Sequence, residues 1–214
     1  MHTKLMLEYG TNIAAGVTPG KGGQKFQDVP IYETMKEAVT TSKAKISIVF
    51  VPAKFFLEAA REAFEAVIKL LIAIPEHVPV RDAMQAIEIA KQNNAIMIGP
   101  NTPGVIIPGL IKIGIMPASP FMHGNIAVLS KSGTLLYEIS NNLTTSGFGQ
   151  IFTLGIGLRS VKSPSMLKIE KCNVRLGTFA QRPLCNADYA CRTSCKQLYH
   201  PHQTDSSRIH QSFK

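Results

Sequence analysis

Through the first 157 residues, short β-branched apolar runs alternate with longer amphipathic stretches, the pattern of parallel strands joined by helical crossovers. The runs predict strands over residues 12–17, 46–51, 70–74, 95–98, 125–129 and 150–154. Between the second and third, Phe56, Ala59, Ala60, Ala63, Phe64 and Val67 recur at three- and four-residue spacing and mark one buried helical face. Ala83, Met84, Ile87 and Ala90 form a second stripe, with Asn93 and Asn94 as its stop. A shorter crossover is expected over 33–39. The order β-α-β-α-β-α-β reads as an α/β, doubly wound fold.

After Ile98 the text becomes GPNTPGVIIPG, whose three prolines and three glycines predict irregular chain, a linker or a tight loop over strand ends. A second unit then starts, with a short edge strand over 113–116. NIAVLSKSGTLLYEISNNL follows as strand, Ser-rich turn and helix, and QIFTLGIG as one more strand. From Leu158 onward neither period 2 nor period 3.6 is sustained, and the segment reads as an irregular, disordered tail. The expected organisation is therefore 1–102, 103–157 and 158–214.

Composition sharpens this division. Hydrophobic residues at 45% and charged residues at 17% exclude a wholly disordered chain. The net charge of +9 is uneven: residues 1–157 carry 13 basic and 11 acidic side chains, and 158–214 carry 10 and 3. The basic character belongs to the tail, so a nucleic-acid partner is disfavoured for the body, and no aromatic platform accompanies the charge in the tail. Cys172, Cys185, Cys191 and Cys195 also lie there, and Cys191, Cys195, His200 and His202 fit no common zinc spacing. No apolar run approaches the ~20 residues that span a bilayer, and MHTKLMLEYG lacks a secretory signal. Neither export nor a membrane is expected.

Three segments carry candidate chemistry. TPGKGG, residues 18–23, follows a strand; its glycines let backbone amides approach an anion, and Lys21 adds a mobile charge. Spacing alone favours a plain Gly-rich turn with a solvated lysine, because the segment is neither a Walker loop nor GxGxxG. Ile74, Pro75 and Glu76 sit at a strand end, where an open α/β sheet places its ligand crevice, or else merely begin a loop. In SKSGTLLYE the helix start at Ser132 and Gly133 offers free amides and the helix dipole to a phosphate, while Ser132 or Ser130 serves equally as N-cap. His2, His77 and His123 are isolated.

Taken in order, YGTNIAAGVTPGKGG, VFVPAKF, IAIPEHVP, IGPNTPGVI, KIGIMP, SKSGTLLYEI and GFGQ resemble the α subunit of succinate–CoA ligase over about residues 2–157. The resemblance implies a Rossmann-type domain that binds coenzyme A, followed by a flavodoxin-like domain with a transiently phosphorylated histidine. It also implies a β subunit as partner, carrying ATP or GTP with Mg, and succinyl-CoA formation in the tricarboxylic acid cycle. On the same footing, Lys21, Ile74, Pro75 and Glu76 correspond to CoA-contacting positions. Ser132 and Gly133 correspond to the phosphate-receiving helix start, and Tyr137 to a substrate-facing tyrosine. Pro75 stands where the family usually has threonine, and Lys131 where it has arginine, keeping the charge without the planar fork. The family works in the prokaryotic cytoplasm or the mitochondrial matrix.

Two departures shape the expectation. The family's first strand and Gly-rich CoA loop precede the helix ending in YGT, so the Rossmann-type domain is expected to lack its first strand. No histidine here stands in the family's Gly-His-Ala-Gly context. The expectation is a chain truncated at both ends and inactive as a ligase, with a non-catalytic CoA-binding module as the alternative. Grammar, charge and cysteine use change together near Gly157, as a shift of reading frame or a degenerate gene produces.

Overall fold

A computed structural model describes residues 1–157 and the backbone of Gly177–Thr178, and in its first sheet the apolar periodicity is followed closely. Strands β4 (Ile46–Val49), β5 (Leu70–Ala73) and β6 (Ile96–Ile98) pair parallel in that order, as βαβ units do. Their crossovers are α3 (Phe56–Glu65) and α4 (Val80–Gln92). Phe56, Ala60, Ala63 and Phe64 from α3, and Ala83, Ala86, Ile87 and Ala90 from α4, bury against Val49, Leu71, Ala73 and Met97. Two members of the predicted stripes fall outside this face: Val67 and Met84 are 52% and 54% exposed. Val67 lies beyond the helix at φ 68°, where the chain turns toward β5. Helix α4 stops at Asn93 as expected, and Asn94 turns the chain at φ 49°.

The opposite face of this sheet meets a second sheet rather than solvent. Ile72 and Ile98 alternate away from the helices and pack with Ile113, Ala127, Leu129 and Leu154. These lie in β8 (Ile111–Gly114), β9 (His123–Ser130) and β10 (Gln150–Gly155), which share a sheet with β7 (Gly104–Ile107). The sheet order is β11-β9-β10-β7-β8, where β11 is Gly177–Thr178, parallel to β9. Strands β9 and β10 are parallel and joined by α5 (Gly133–Thr145), whose Leu136 packs with Ile106, Met116, Phe121 and Val128. The α/β reading with a parallel, Rossmann-like sheet holds.

One expectation is overturned: GPNTPGVIIPG is not wholly irregular, because Gly104–Ile107 form β7, antiparallel to both β8 and β10. Pro103 and Pro108 flank the run instead of interrupting it, so the β-branched residues keep their ladder. The edge strand expected over 113–116 lies at Ile111–Gly114, at the end of the sheet order.

The N-terminal residues form a third group. Helix α1 (His2–Glu8) buries Met6, and the strand expected over 12–17 shrinks to β1 (Gly16–Val17). β1 pairs with β3 (Val29–Tyr32), itself in a hairpin with β2 (Lys25–Phe26), and not with the main parallel sheet. The crossover expected over 33–39 begins later, as α2 (Met35–Ser42), because the Thr34 side chain accepts the Glu37 amide and fixes the start there. Among the described residues no helix is long and apolar enough to cross a membrane. The Cys191, Cys195, His200 and His202 set, and the tail's expected disorder, lie outside the described residues.

Candidate functional site

The Gly-rich turn 18–23 connects β1 to β2 with Lys21 exposed at its apex. The Lys21 amide donates to Thr18 O at 3.1 Å, and Thr18 and Gly23 amides donate to Tyr32 O and Ile31 O. Gly20 and Gly23 adopt φ of 79° and 78°, which glycine reaches without a Cβ penalty. The amides offered to a ligand phosphate in the sequence reading are occupied by the chain's own carboxylate: Gly20 N–H donates to Glu33 Oε2 at 2.7 Å and Gly22 N–H to Oε1 at 2.6 Å. Those two bonds, Gly20 first, hold the Glu33 carboxyl below the usual glutamate range.

The strand-end residues sit where the parallel sheet opens. Ile74 N–H donates to Val49 O at 3.2 Å, Pro75 is buried, and Glu76 is exposed with its carboxylate 3.9 Å from His77 Nε2. Loop 99–103 folds over these ends: Asn101 N–H donates to Pro75 O at 2.9 Å and Thr102 N–H to Ala73 O at 3.4 Å. The buried Thr102 hydroxyl donates to Gly155 O and accepts the Gly104 amide, which ties the same loop to β10.

The start of α5 lies against this loop. A Cβ on Gly133 would come 3.8 Å from Pro103 Cγ, and one on Gly155 would collide with the Pro103 ring. Ser132 is the N-cap, its Oγ accepting the Leu135 amide at 3.4 Å, while the Leu136 amide bonds Ser132 O. The Gly133 and Thr134 amides of the first turn therefore remain for an anion. Ser130 braces the turn by donating to Ser132 O at 2.9 Å and accepting the Ser132 amide at 3.1 Å. Lys131 is exposed beside them.

Thus loop 99–103 touches the β5 end at Ala73 and Pro75 and the α5 start at Gly133, whereas Lys21 belongs to the separate β1–β3 sheet. Tyr137 sits one turn further along α5, packed edge-on to Phe121 with centroids 6.4 Å apart, and burial raises its phenol above the ordinary value. His77 and His123 are exposed and His2 stacks on Phe50 at 5.6 Å. Among the described residues no three His, Cys, Asp or Glu side chains cluster to hold a metal. Sequence reasoning missed Glu33 and Thr102, whose partners lie 13, 11 and 53 residues away, at separations no local pattern reports.

Residues 1–77 match the family model of the CoA binding domain. The α subunit of the ADP-forming succinate–CoA ligase of Methanothermobacter thermautotrophicus is 50% identical over 156 residues, 73% of this chain and 53% of that protein. Its Aquifex aeolicus counterpart is 48% identical over 158 residues, 73% of this chain and 52% of that one. The chain spans about half the length of these curated relatives. Among solved structures, the dinucleotide-forming acetyl-coenzyme A synthetase 1 of Ca. Korarchaeum cryptofilum aligns over 92% of this chain and 44% of its own, with a TM-score of 0.68 at 14% identity. The ATP citrate lyase of Methanothrix soehngenii, in complex with citrate and coenzyme A, aligns over 86% and 46%, with a TM-score of 0.57 at 17% identity. At those identities the structures share the fold alone, and the sequence carries the likeness: over some 156 residues this chain is similar to succinate–CoA ligase α subunits, and its residues 1–77 match the CoA binding domain.

Proposed function

We propose that this chain binds coenzyme A as the CoA-holding part of a succinate–CoA ligase α subunit. The observation that carries the reading is the match of residues 1–77 to the CoA binding domain. The contact of loop 99–103 with both the β5 end and the α5 start supports it, since open α/β sheets take ligands beyond the carboxyl ends of their strands. In this proposal Lys21 attracts a phosphate of CoA, and Ile74, Pro75 and Glu76 line its path. Ser132 and Gly133 present first-turn amides to a transferred phosphate, and Tyr137 faces the acyl substrate. The division of labour falls near 102–103, with CoA held before it and the phosphate-receiving unit after it.

Acyl transfer in this reading uses a β subunit that supplies ATP or GTP with Mg, in the prokaryotic cytoplasm or the mitochondrial matrix. A phosphohistidine relay needs an imidazole nucleophile, and none of the six histidines of these 214 residues has the Gly-His-Ala-Gly context. We therefore propose CoA binding without ligase turnover for these residues alone. Isothermal titration of the full chain with CoA tests this: micromolar binding is expected, weakened about fivefold in Lys21→Ala, the ~1 kcal/mol of one exposed charge contact. Absence of binding, or an unchanged affinity in Lys21→Ala, refutes the respective assignment. Succinyl-CoA formation on adding β subunit, nucleotide and succinate refutes the inactivity.

A further inference from the structure

We infer that Glu33 is the positioning residue of the Lys21 turn, its carboxylate fixing the turn by occupying the two amides that bracket that lysine. The inference rests on the CoA reading above and deepens it. Gly20 and Gly22 lie on either side of Lys21, and both amides converge on one carboxylate, one on each oxygen, at 2.7 and 2.6 Å. Bonds from amides to an ionised acceptor are the stronger class of hydrogen bond. The fit is close: a Cβ on Gly22 would stand 2.6 Å from Glu33 Cγ, so glycine at that position is what lets the carboxylate in.

Glu33 is itself anchored at both sides. Tyr32, the last residue of β3, accepts the Thr18 amide at 3.1 Å, and Thr34 caps α2. The carboxylate thus links the turn to the one junction where β3 passes into α2. Among the described residues no lysine or arginine pairs with it within 4 Å; its partners are the two amides.

A consequence for ligand binding follows from occupancy. A Gly-rich turn is commonly read as a cradle whose amides wrap a phosphate. Here those amides are already satisfied, so a phosphate meeting this turn finds the Lys21 ammonium and not the backbone. The turn works as a rigid mount for one cation, and its rigidity comes from Glu33.

The test is a double-mutant cycle on the full chain, read by CoA titration, with amide hydrogen exchange measured in the absence of CoA. Glu33→Ala is expected to weaken CoA about fivefold in the native background and to have no further effect in Lys21→Ala, because an unmounted turn matters only through the lysine it carries. Glu33→Gln, which keeps one acceptor, is expected to fall between. Exchange at Gly20 and Gly22 is expected to accelerate at least tenfold in Glu33→Ala while Leu71 in β5 stays protected. Unchanged or tighter CoA binding by Glu33→Ala overturns the inference, as do equal losses in both backgrounds or unaltered exchange at the two glycines. Failure of the native chain to bind CoA overturns instead the function on which it rests.

Discussion

Glu33 donates nothing and accepts two amides, so its charge state and the shape of the 18–23 turn are linked. Its carboxyl is held below the ordinary value of about 4.3, which means the unfolded chain binds the proton more readily than the folded one. The contribution is therefore complete above that ordinary value and disappears as pH falls through the lower folded value. Two-dimensional NMR of the full chain should show the Gly20 and Gly22 amides titrating together with a midpoint under that of a free glutamate. A midpoint at the ordinary value would refute the linkage. Lys112 shows the same dependence on distant surroundings: burial lowers its ammonium's value, and Glu8, over a hundred residues earlier in the chain, opposes that shift. Neither group was legible in the sequence, where Glu33 reads as the start of a helical crossover and Lys112 precedes the expected edge strand.

Helices α3 and α4 were legible because their apolar residues repeat with the helical period, yet the period overstated the buried face. Phe64 is fully buried among Phe56, Ala60 and Leu71, whereas Met84, in the predicted stripe of α4, is 54% exposed. Urea unfolding is expected to register Phe64→Ala as a loss of about 3–5 kcal/mol. Met84→Ala should stay within roughly 0.5 kcal/mol, the range of surface changes. Comparable losses at the two positions would show that the stripe, and not the observed face, describes the packing. Strand β7 failed to show in the sequence for the converse reason: a three-residue apolar run between prolines has too little length to declare a period, and one of its two partners, β10, lies more than forty residues away.

All described residues fall in one compact unit, and two features bind its early and late segments together. Ile72 and Ile98 share a core with Ile113, Ala127, Leu129 and Leu154 between the two sheets. Thr11 Oγ donates to Lys112 O at 2.7 Å and accepts the Lys112 amide at 3.1 Å, both buried, while the Gly109 amide donates to the Tyr9 hydroxyl at 3.1 Å. Thr11→Val keeps the volume but strands both Lys112 backbone groups, an expected loss of about 1–3 kcal/mol. Because the two sheets share a core, the loss should lower a single unfolding transition seen alike by tyrosine fluorescence and circular dichroism. Two separated transitions would mean that the sheets fold independently.

The linear order of residues was enough for whatever depends on near neighbours: the βαβ alternation, the helix stop at Asn93, the small-residue turn into α5 and the kinship carried by the ordered motifs. It was not enough for whatever depends on which segments meet. That the first sheet's second face is covered by another sheet follows from Ile72 and Ile98 finding Leu129 and Leu154, contacts whose separation leaves no periodic trace. That the glycine turn closes on its own carboxylate, and that loop 99–103 touches both Pro75 and Gly133, likewise arise only when distant backbone is brought within hydrogen-bond or van der Waals reach. Periodicity encodes which face of an element is apolar, and packing decides what that face touches.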